Sequence, residues 1–446
     1  MPTRLDKSLV YFLCVFTRAV SALRPSWSWD TVGSMAFTHT CNMSGLWSDA
    51  ALDTLQKFPL VTIERFMGQY SHCPWSQQTA RPSNCTVEEA PVGLTNAATG
   101  LYVEDHAIAA LQQLKRRNPK LAAIFYHDSG RMWTNDQPDS MGRVPKMPRK
   151  YWNPTVYRAD NYLVSHRPEW LLKNVSEGFV YDHYANNHIY DHGKPGVPEW
   201  WGSVCLNVTG SGVADGCFAD YASMGGVDPA APGQPPSVGV SGVMRSWNVS
   251  KATAVAWVNG HQRALDLLTD ALQKSVDGIL IANGGANKHT NAFMMETFMP
   301  SSGDIRTIQS AVTKGLINQV HCNYYARERN PDVRDCLAAF LVGTGPGAFF
   351  SGPFGWQIRQ QDIDPLGLRD VRQRWLPEFD HPLGEPTSNG TLGADNVWRR
   401  SFRFATVEFN ATVCRGRINW SGGSVTQGPG CTVGCKKCVK EIYPPL

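Results

Sequence analysis

Apolar residues in this chain follow two rhythms. Short, nearly continuous apolar blocks alternate with longer stretches in which apolar residues recur every three or four positions. The blocks read as buried strands and the longer stretches as amphipathic helices. Strands are predicted at Leu60 to Phe66, Leu121 to Tyr126, Gly216 to Tyr221, Gly278 to Ala282, Ala292 to Met295, Gln319 to Tyr324 and Ala348 to Ser351, with Phe179 to Tyr184 as a short further candidate. Helices are predicted at Tyr102 to Arg116, Lys251 to Leu272, Ser301 to Ile317 and Asp332 to Val342. In the second of these, Ala254, Trp257, His261, Leu265, Leu268 and Leu272 fall on one stripe.

Strands alternating with helices predict a parallel α/β fold. Counting back from Ala348 to Ser351 as the eighth strand makes Gly216 to Tyr221 the fourth. Leu60 to Phe66 then serves as the first strand and Leu121 to Tyr126 as the second. The expectation is a (β/α)8 barrel over residues 23–360, with long irregular loops at 130–212 and at Gly225 to Gly242. An open doubly wound sheet is the competing architecture. No Gly-x-Gly-x-x-Gly follows a strand, which argues against nucleotide binding. Beyond the eighth strand the pattern changes to alternation, at Trp398 to Phe409 and Val413 to Trp420. This predicts a small β-hairpin or sheet within a 361–446 extension that ends in a Cys-rich tail.

The N-terminus adds a compartment to this picture. Arg4 and Lys7 precede the apolar run Leu9 to Phe16, and Val20, Ser21 and Ala22 follow it. That order is the signature of a secretory signal peptide, here 1–22. The run is too short to span a bilayer, which takes about 20 apolar residues. Eight Asn-x-Ser/Thr acceptors, at Asn42, Asn84, Asn174, Asn207, Asn248, Asn389, Asn410 and Asn419, fit the same route. The expectation is a secreted or secretory-lumen protein with N-glycans at several of them.

Twelve cysteines agree with an oxidising compartment. Cys73 with Cys85, Cys205 with Cys217, and Cys322 with Cys336 are close enough in sequence to close short loops. Cys414, Cys431, Cys435 and Cys438 cluster near the C-terminus, and Cys41 stands apart. A net charge of +4 without a basic stripe gives no sign of a nucleic-acid partner. Fifteen Trp and fourteen Tyr supply flat faces suited to sugar rings, though most large aromatics are core.

A parallel barrel carries its reactive groups at the C-terminal ends of its strands. That rule selects Asp220 and Glu296, two carboxylates that directly follow apolar runs. Cleavage of a glycoside needs two such groups, one to attack or stabilise the anomeric carbon and one to protonate the leaving oxygen. Tyr70, Tyr126, His127, Asn283, His321 and Asn323 stand at or near other strand ends, where they can bind substrate. The segment Tyr181 to His192 concentrates Asp182, His183, His188, Asp191 and His192. Such clusters sometimes hold metal, but no His-x-His or His-Glu-x-x-His spacing is present. The plainer expectation is a polar loop at a substrate cleft, with Asp182 among the binding residues and no metal. No Gly-x-Ser-x-Gly elbow marks a serine nucleophile.

These residues sit in motifs that resemble a known group. RPEWLLKN, VPEWW, ADGCFADYAS, DGILIANGG, FMMETF, CNYYARERNPD, PLGEP and WRRSF occur in that order. Together they resemble hypothetical glycosyl hydrolase family fifteen, secreted TIM-barrel proteins. The resemblance implies a barrel acting on carbohydrate, and the two-carboxylate reading of the residues needs no metal or organic cofactor. It is also similar to the clan that includes α-galactosidases. By that analogy Asp220 is the nucleophile of a retaining O-glycosidase and Glu296 its acid/base. The clan more usually has Asp at the second position, so Glu296 is a departure. Two alternatives follow: a carbohydrate-binding protein without turnover, and a metal-dependent hydrolase or lyase using the Tyr181 to His192 cluster.

Overall fold

Eight parallel strands lie side by side in the order of the chain. They are β1 (Met35–Thr38), β2 (Leu60–Ile63), β3 (Ala122–Asp128), β4 (Gly216–Asp220), β5 (Ile279–Asn283), β6 (Ala292–Phe298), β7 (Ile317–Cys322) and β8 (Ala348–Ser351). The sheet closes into a barrel at one narrow seam. There Ser34 bridges Phe350 in parallel, and the Phe350 N–H donates to the Gly33 carbonyl at 2.9 Å. The computed structural model describes residues 25–38, 46–65, 102–132, 157–181, 187–222, 239–284, 290–298, 300–322, 333–352 and 375–427.

Helices α1 (Asp49–Leu55), α2 (Val103–Arg117), α3 (Arg158–His166), α4 (Val197–Gly210), α5 (Val240–Trp247), α6 (Lys251–Val276), α7 (Ser302–Thr313) and α8 (Val333–Gly343) separate the strands. The central strands are buried on both faces, which is why their sequences read as continuous apolar runs. Inside the barrel, Tyr126 stacks on Phe218 at 5.4 Å, and Phe37 sets its edge against both rings. Gln319 reaches across the interior from β7 to donate to Thr62 Oγ1 on β2 at 2.8 Å.

Several expectations change. The first strand is Met35–Thr38, which the apolar pattern does not mark. Leu60 to Phe66 therefore supplies the second strand, and Leu121 to Tyr126 the third, extended to Asp128. Phe179 and Tyr181 make only isolated antiparallel bridges, to Lys173 and His188, and supply no barrel strand. Residues 130–212 contain two regular helices, α3 and α4. Helix α5 starts inside the expected Gly225 to Gly242 loop, the rest of which lies outside the described residues except Gly239.

Two expected disulfides are present. Cys205–Cys217 ties α4 to β4, and Cys322–Cys336 ties β7 to α8. Cys414 is also disulfide-bonded. Cys73, Cys85 and the signal segment 1–22 lie outside the described residues. No helix among the described residues is long and apolar enough to cross a membrane.

The extension forms a five-stranded antiparallel sheet of β9 (Thr391–Leu392), β10 (Val397–Ser401), β11 (Ala405–Asn410), β12 (Arg415–Trp420) and β13 (Val425–Gln427). Alternation sorts its faces: Trp398, Val407, Phe409, Ile418 and Trp420 are buried, while Arg399, Thr406 and Arg417 are exposed. Arg400 locks the sheet to the barrel. Its Nη1 donates to the carbonyls of Leu341 and Val342 at 3.3 Å and of Thr344 at 2.5 Å, around the C-terminal end of α8. A cation there meets the negative end of the helix dipole. The same guanidinium rests against Trp29 and Phe402. Helix α3 is capped from outside in a similar manner. Glu104 of α2, buried, accepts from the Arg158 N–H at 2.8 Å and the Ala159 N–H at 3.0 Å.

Candidate active site

The C-terminal end of the barrel gathers four of the residues singled out by sequence. Asn283, last on β5, donates its side-chain amide to Asp220 Oδ1 at 2.7 Å and to Glu296 Oε2 at 2.9 Å. Laid end to end those two bonds put the two carboxylate oxygens at most about 5.6 Å apart. Tyr126 donates its hydroxyl to Asp220 Oδ2 at 2.5 Å.

Local backbone geometry aims these groups. Asn283 lies opposite Met294 in the ladder, so Glu296 is the next β6 residue on that face. Between Met295 and Phe298 the β6–β7 register shifts, and β6 gains one residue over β7. Such a bulge re-aims a side chain at a strand end, and here it falls on Glu296. After Asp220 the chain turns sharply: Tyr221 has φ 59°, costly for a residue with a side chain. That turn points the Tyr221 N–H back to Asp220 Oδ1 at 2.9 Å.

Two arginines flank the other oxygen. Arg65 Nη1 donates to the Tyr126 hydroxyl at 2.7 Å and lies 4.0 Å from Asp220 Oδ2. Arg131 Nη2 lies 3.9 Å from the same oxygen, while its Nε donates to Asp128 Oδ2 at 2.6 Å. Burial opposes the Arg65 cation, but Tyr126, Glu64 and Asp220 outweigh it and hold the guanidinium above its ordinary range. Burial pushes the Tyr126 phenol well above its usual range, so it stays a donor. Burial also raises Asp128 to about 6, against the pull of Arg131.

A buried polar tier supports Asp220 from behind. Ser129 donates its N–H at 2.9 Å and its hydroxyl at 2.6 Å to the Asp220 carbonyl. The serine proton being spent, His261 Nε2 must donate to Ser129 Oγ at 2.9 Å. His192 Nε2 donates to the Ser129 carbonyl at 2.7 Å. Burial keeps both imidazoles neutral, lowering His192 to about 4 and His261 well below its usual range.

The remaining candidates divide. His321 on β7 sets its ring edge-on to Phe37 at 5.4 Å, inside the barrel. His127 stands on the other face of β3 from Tyr126, buried against Trp201 and Tyr157, and is not with the carboxylate pair. Tyr70, Asp182 and Asn323 lie outside the described residues. In the polar segment, His192 is spent on Ser129, and His188 packs between Phe179 and Tyr181. Among the described residues no three His, Cys, Asp or Glu side chains stand together as a metal site. Sequence reasoning gave no role to Arg131, Ser129, Tyr221 or His261. Nor did it give one to Arg65 or Asp128, which follow apolar runs at the ends of β2 and β3.

Two close carboxylates, joined by an amide and set among donors and cations, can run nucleophilic and acid–base chemistry on one small group. No curated protein sequence matches this chain. By fold it is similar to the glycoside hydrolase domain of PelA from Pseudomonas aeruginosa, with 14% identity and TM-score 0.36, covering 73% of this chain and 96% of that one. It is similar to an alpha-amylase from Geobacillus thermoleovorans complexed with acarbose, with 9% identity and TM-score 0.40, covering 92% and 96%. An alpha-galactosidase from Lactobacillus brevis gives 10% identity and TM-score 0.41, covering 87% of this chain and 46% of that one. The sequence profile of hypothetical glycosyl hydrolase family 15 matches residues 115–406. The chain belongs to this family of glycoside hydrolases and carries it on a (β/α)8 barrel.

Proposed function

We propose that this protein is a retaining O-glycosidase of the secretory route, acting on an oligo- or polysaccharide. The observation that carries the reading is the Asn283 amide shared by Asp220 and Glu296, with nearest oxygens at most about 5.6 Å apart. Retaining glycosidases hold their carboxyl groups about 5–5.5 Å apart, whereas inverting ones need about 6.5–9.5 Å to admit a water. Asp220 is the nucleophile, because fixed donors and two arginines surround an oxygen pair that must attack as an anion. Glu296 is the acid/base, because it is only half-buried and can meet both the leaving group and the incoming water. His321 inside the mouth, with Tyr70, Asp182 and Asn323 following β2, β3 and β7 in sequence, orients sugar hydroxyls. The basic, apolar and small-residue order of 1–22 supports secretion. Exposure of Asn207, Asn248 and Asn389 supports N-glycans there.

The test is the anomer first released from an aryl glycoside or polysaccharide panel, followed by NMR before mutarotation. We expect the configuration of the substrate. Asp220→Asn and Glu296→Gln should each lose at least about a hundredfold in rate on unactivated substrates. Release of the opposite anomer would remove retention. Full activity in both variants would remove these two carboxylates.

A further inference from the structure

Asp220 and Glu296 share one support. One amide nitrogen has two hydrogens, and Asn283 spends one on each carboxylate. Two other donors to Asp220, the Tyr221 N–H and the Tyr126 hydroxyl, have no such freedom. The Tyr221 N–H is main chain, and the Tyr126 ring is fixed by Phe218 and Phe37. Asn283 is itself buried, so its amide has little room to turn to water.

We propose that Asn283 is a positioning residue shared by both carboxylates, its amide strengthening its bond to whichever of them carries the charge. The inference rests on the roles proposed above for Asp220 and Glu296. In the first step an Asp220 oxygen pair forms the bond to the anomeric carbon. The glycosidic C–O bond breaks, its electron pair goes to the leaving oxygen, and that oxygen takes the proton of Glu296. The negative charge has then passed from Asp220 to Glu296. In the second step Glu296 takes a proton from water, the water oxygen bonds the anomeric carbon, and the bonding pair returns to Asp220. A hydrogen bond to an ionised acceptor is shorter and about twice as strong as one to a neutral acceptor. Asn283 touches the charge at both ends of its path.

The experiment compares Asn283→Ala and Asn283→Ser with the parent on two glycosides of one sugar. A 2,4-dinitrophenyl glycoside departs without protonation and reads the nucleophile alone. A 4-methoxyphenyl glycoside needs the acid as well. We expect kcat/KM to fall about tenfold on the first and at least about a hundredfold on the second. Equal losses on both would confine Asn283 to Asp220 or to the fold, and would overturn the proposal. No loss on the dinitrophenyl glycoside would confine it to Glu296, with the same consequence. Thermal melting checks folding, and the smaller perturbation of Asn283→Ser stands in if the alanine variant melts early. Asp220→Asn and Glu296→Gln run beside them. Activity surviving in those two would sink the carboxylate roles themselves, a different failure from equal losses in the Asn283 variants. A parent inactive on every aryl glycoside would remove both.

Discussion

Glu104 offers a prediction whose size can be worked from its surroundings. Its carboxylate is buried at the start of α3 and accepts two main-chain N–H groups. Burial raises it from 4.5 to about 7, with the N–H bonds of Ala159 and Arg158 pulling the other way. The folded state therefore keeps a proton that the unfolded chain releases between pH 4.5 and about 7. Stability from this group is complete below that window and falls as pH rises through it. At about 1.4 kcal/mol per unit, the full loss is about 3 kcal/mol. Glu104→Gln matches the protonated form in shape but sets an amide against one N–H, at about 1 kcal/mol. The variant should be slightly less stable than the parent at pH 5 and about 2 kcal/mol more stable at pH 8. Urea unfolding of both proteins at the two pH values, followed by tryptophan fluorescence, measures the inversion. Asp128 and His192 titrate in both proteins and cancel in the difference. A difference that stays constant from pH 5 to pH 8 would refute the reasoning. It would mean that the helix N–H groups offset burial fully and Glu104 is ionised throughout.

Arg400→Met should keep contact with Trp29 and Phe402 but leave the carbonyls at the end of α8 without their cation, costing about 2–4 kcal/mol in urea unfolding. An unchanged midpoint would mean that the sheet is held without Arg400, by its buried apolar face and by bonds such as that of the Gly416 N–H to Asp335. Protein expressed from the full chain in a eukaryotic secretory host should reach the medium lacking residues 1–22 and should lose mass on peptide N-glycosidase treatment. Retention inside the cell, or no change in mass, would remove that part of the reading.

The later barrel was plain in the sequence because its strands are buried on both faces and each is one apolar block. The first strand was not. Met35–Thr38 is four residues long, and only the ladder to β2 and the seam to β8 mark it as a strand. Helix α4 was hidden for a different reason: Val197, Trp201, Val204, Cys205 and Val208 are buried, and Trp200 and Leu206 are half-buried, so little polar stripe remains to reveal the period. At the site, Asp220 and Glu296 were legible as carboxylates ending apolar runs. Tyr126 and His127 are adjacent on β3, and neighbours on a strand face opposite ways, so only one of the two can enter the barrel. Arg131 and Ser129 owe their roles to β3 and β4 lying side by side, a relation between residues some 90 positions apart that no local pattern carries.

The seam sets an order of events during synthesis. Besides the Gly33 and Phe350 contact, Asp30 accepts from the Leu383 N–H at 3.2 Å, and Trp29 accepts from the Gly384 N–H at 2.6 Å. The first described segment is thus completed by residues made some 350 positions later. Until those emerge, β1 has β2 on one side and an open edge on the other. A nascent chain in that condition exposes main-chain N–H and C=O groups ready to pair with a neighbour. Until β8 and the segment around Leu383 have been made, that edge stays open to pairing with a copy of the same chain.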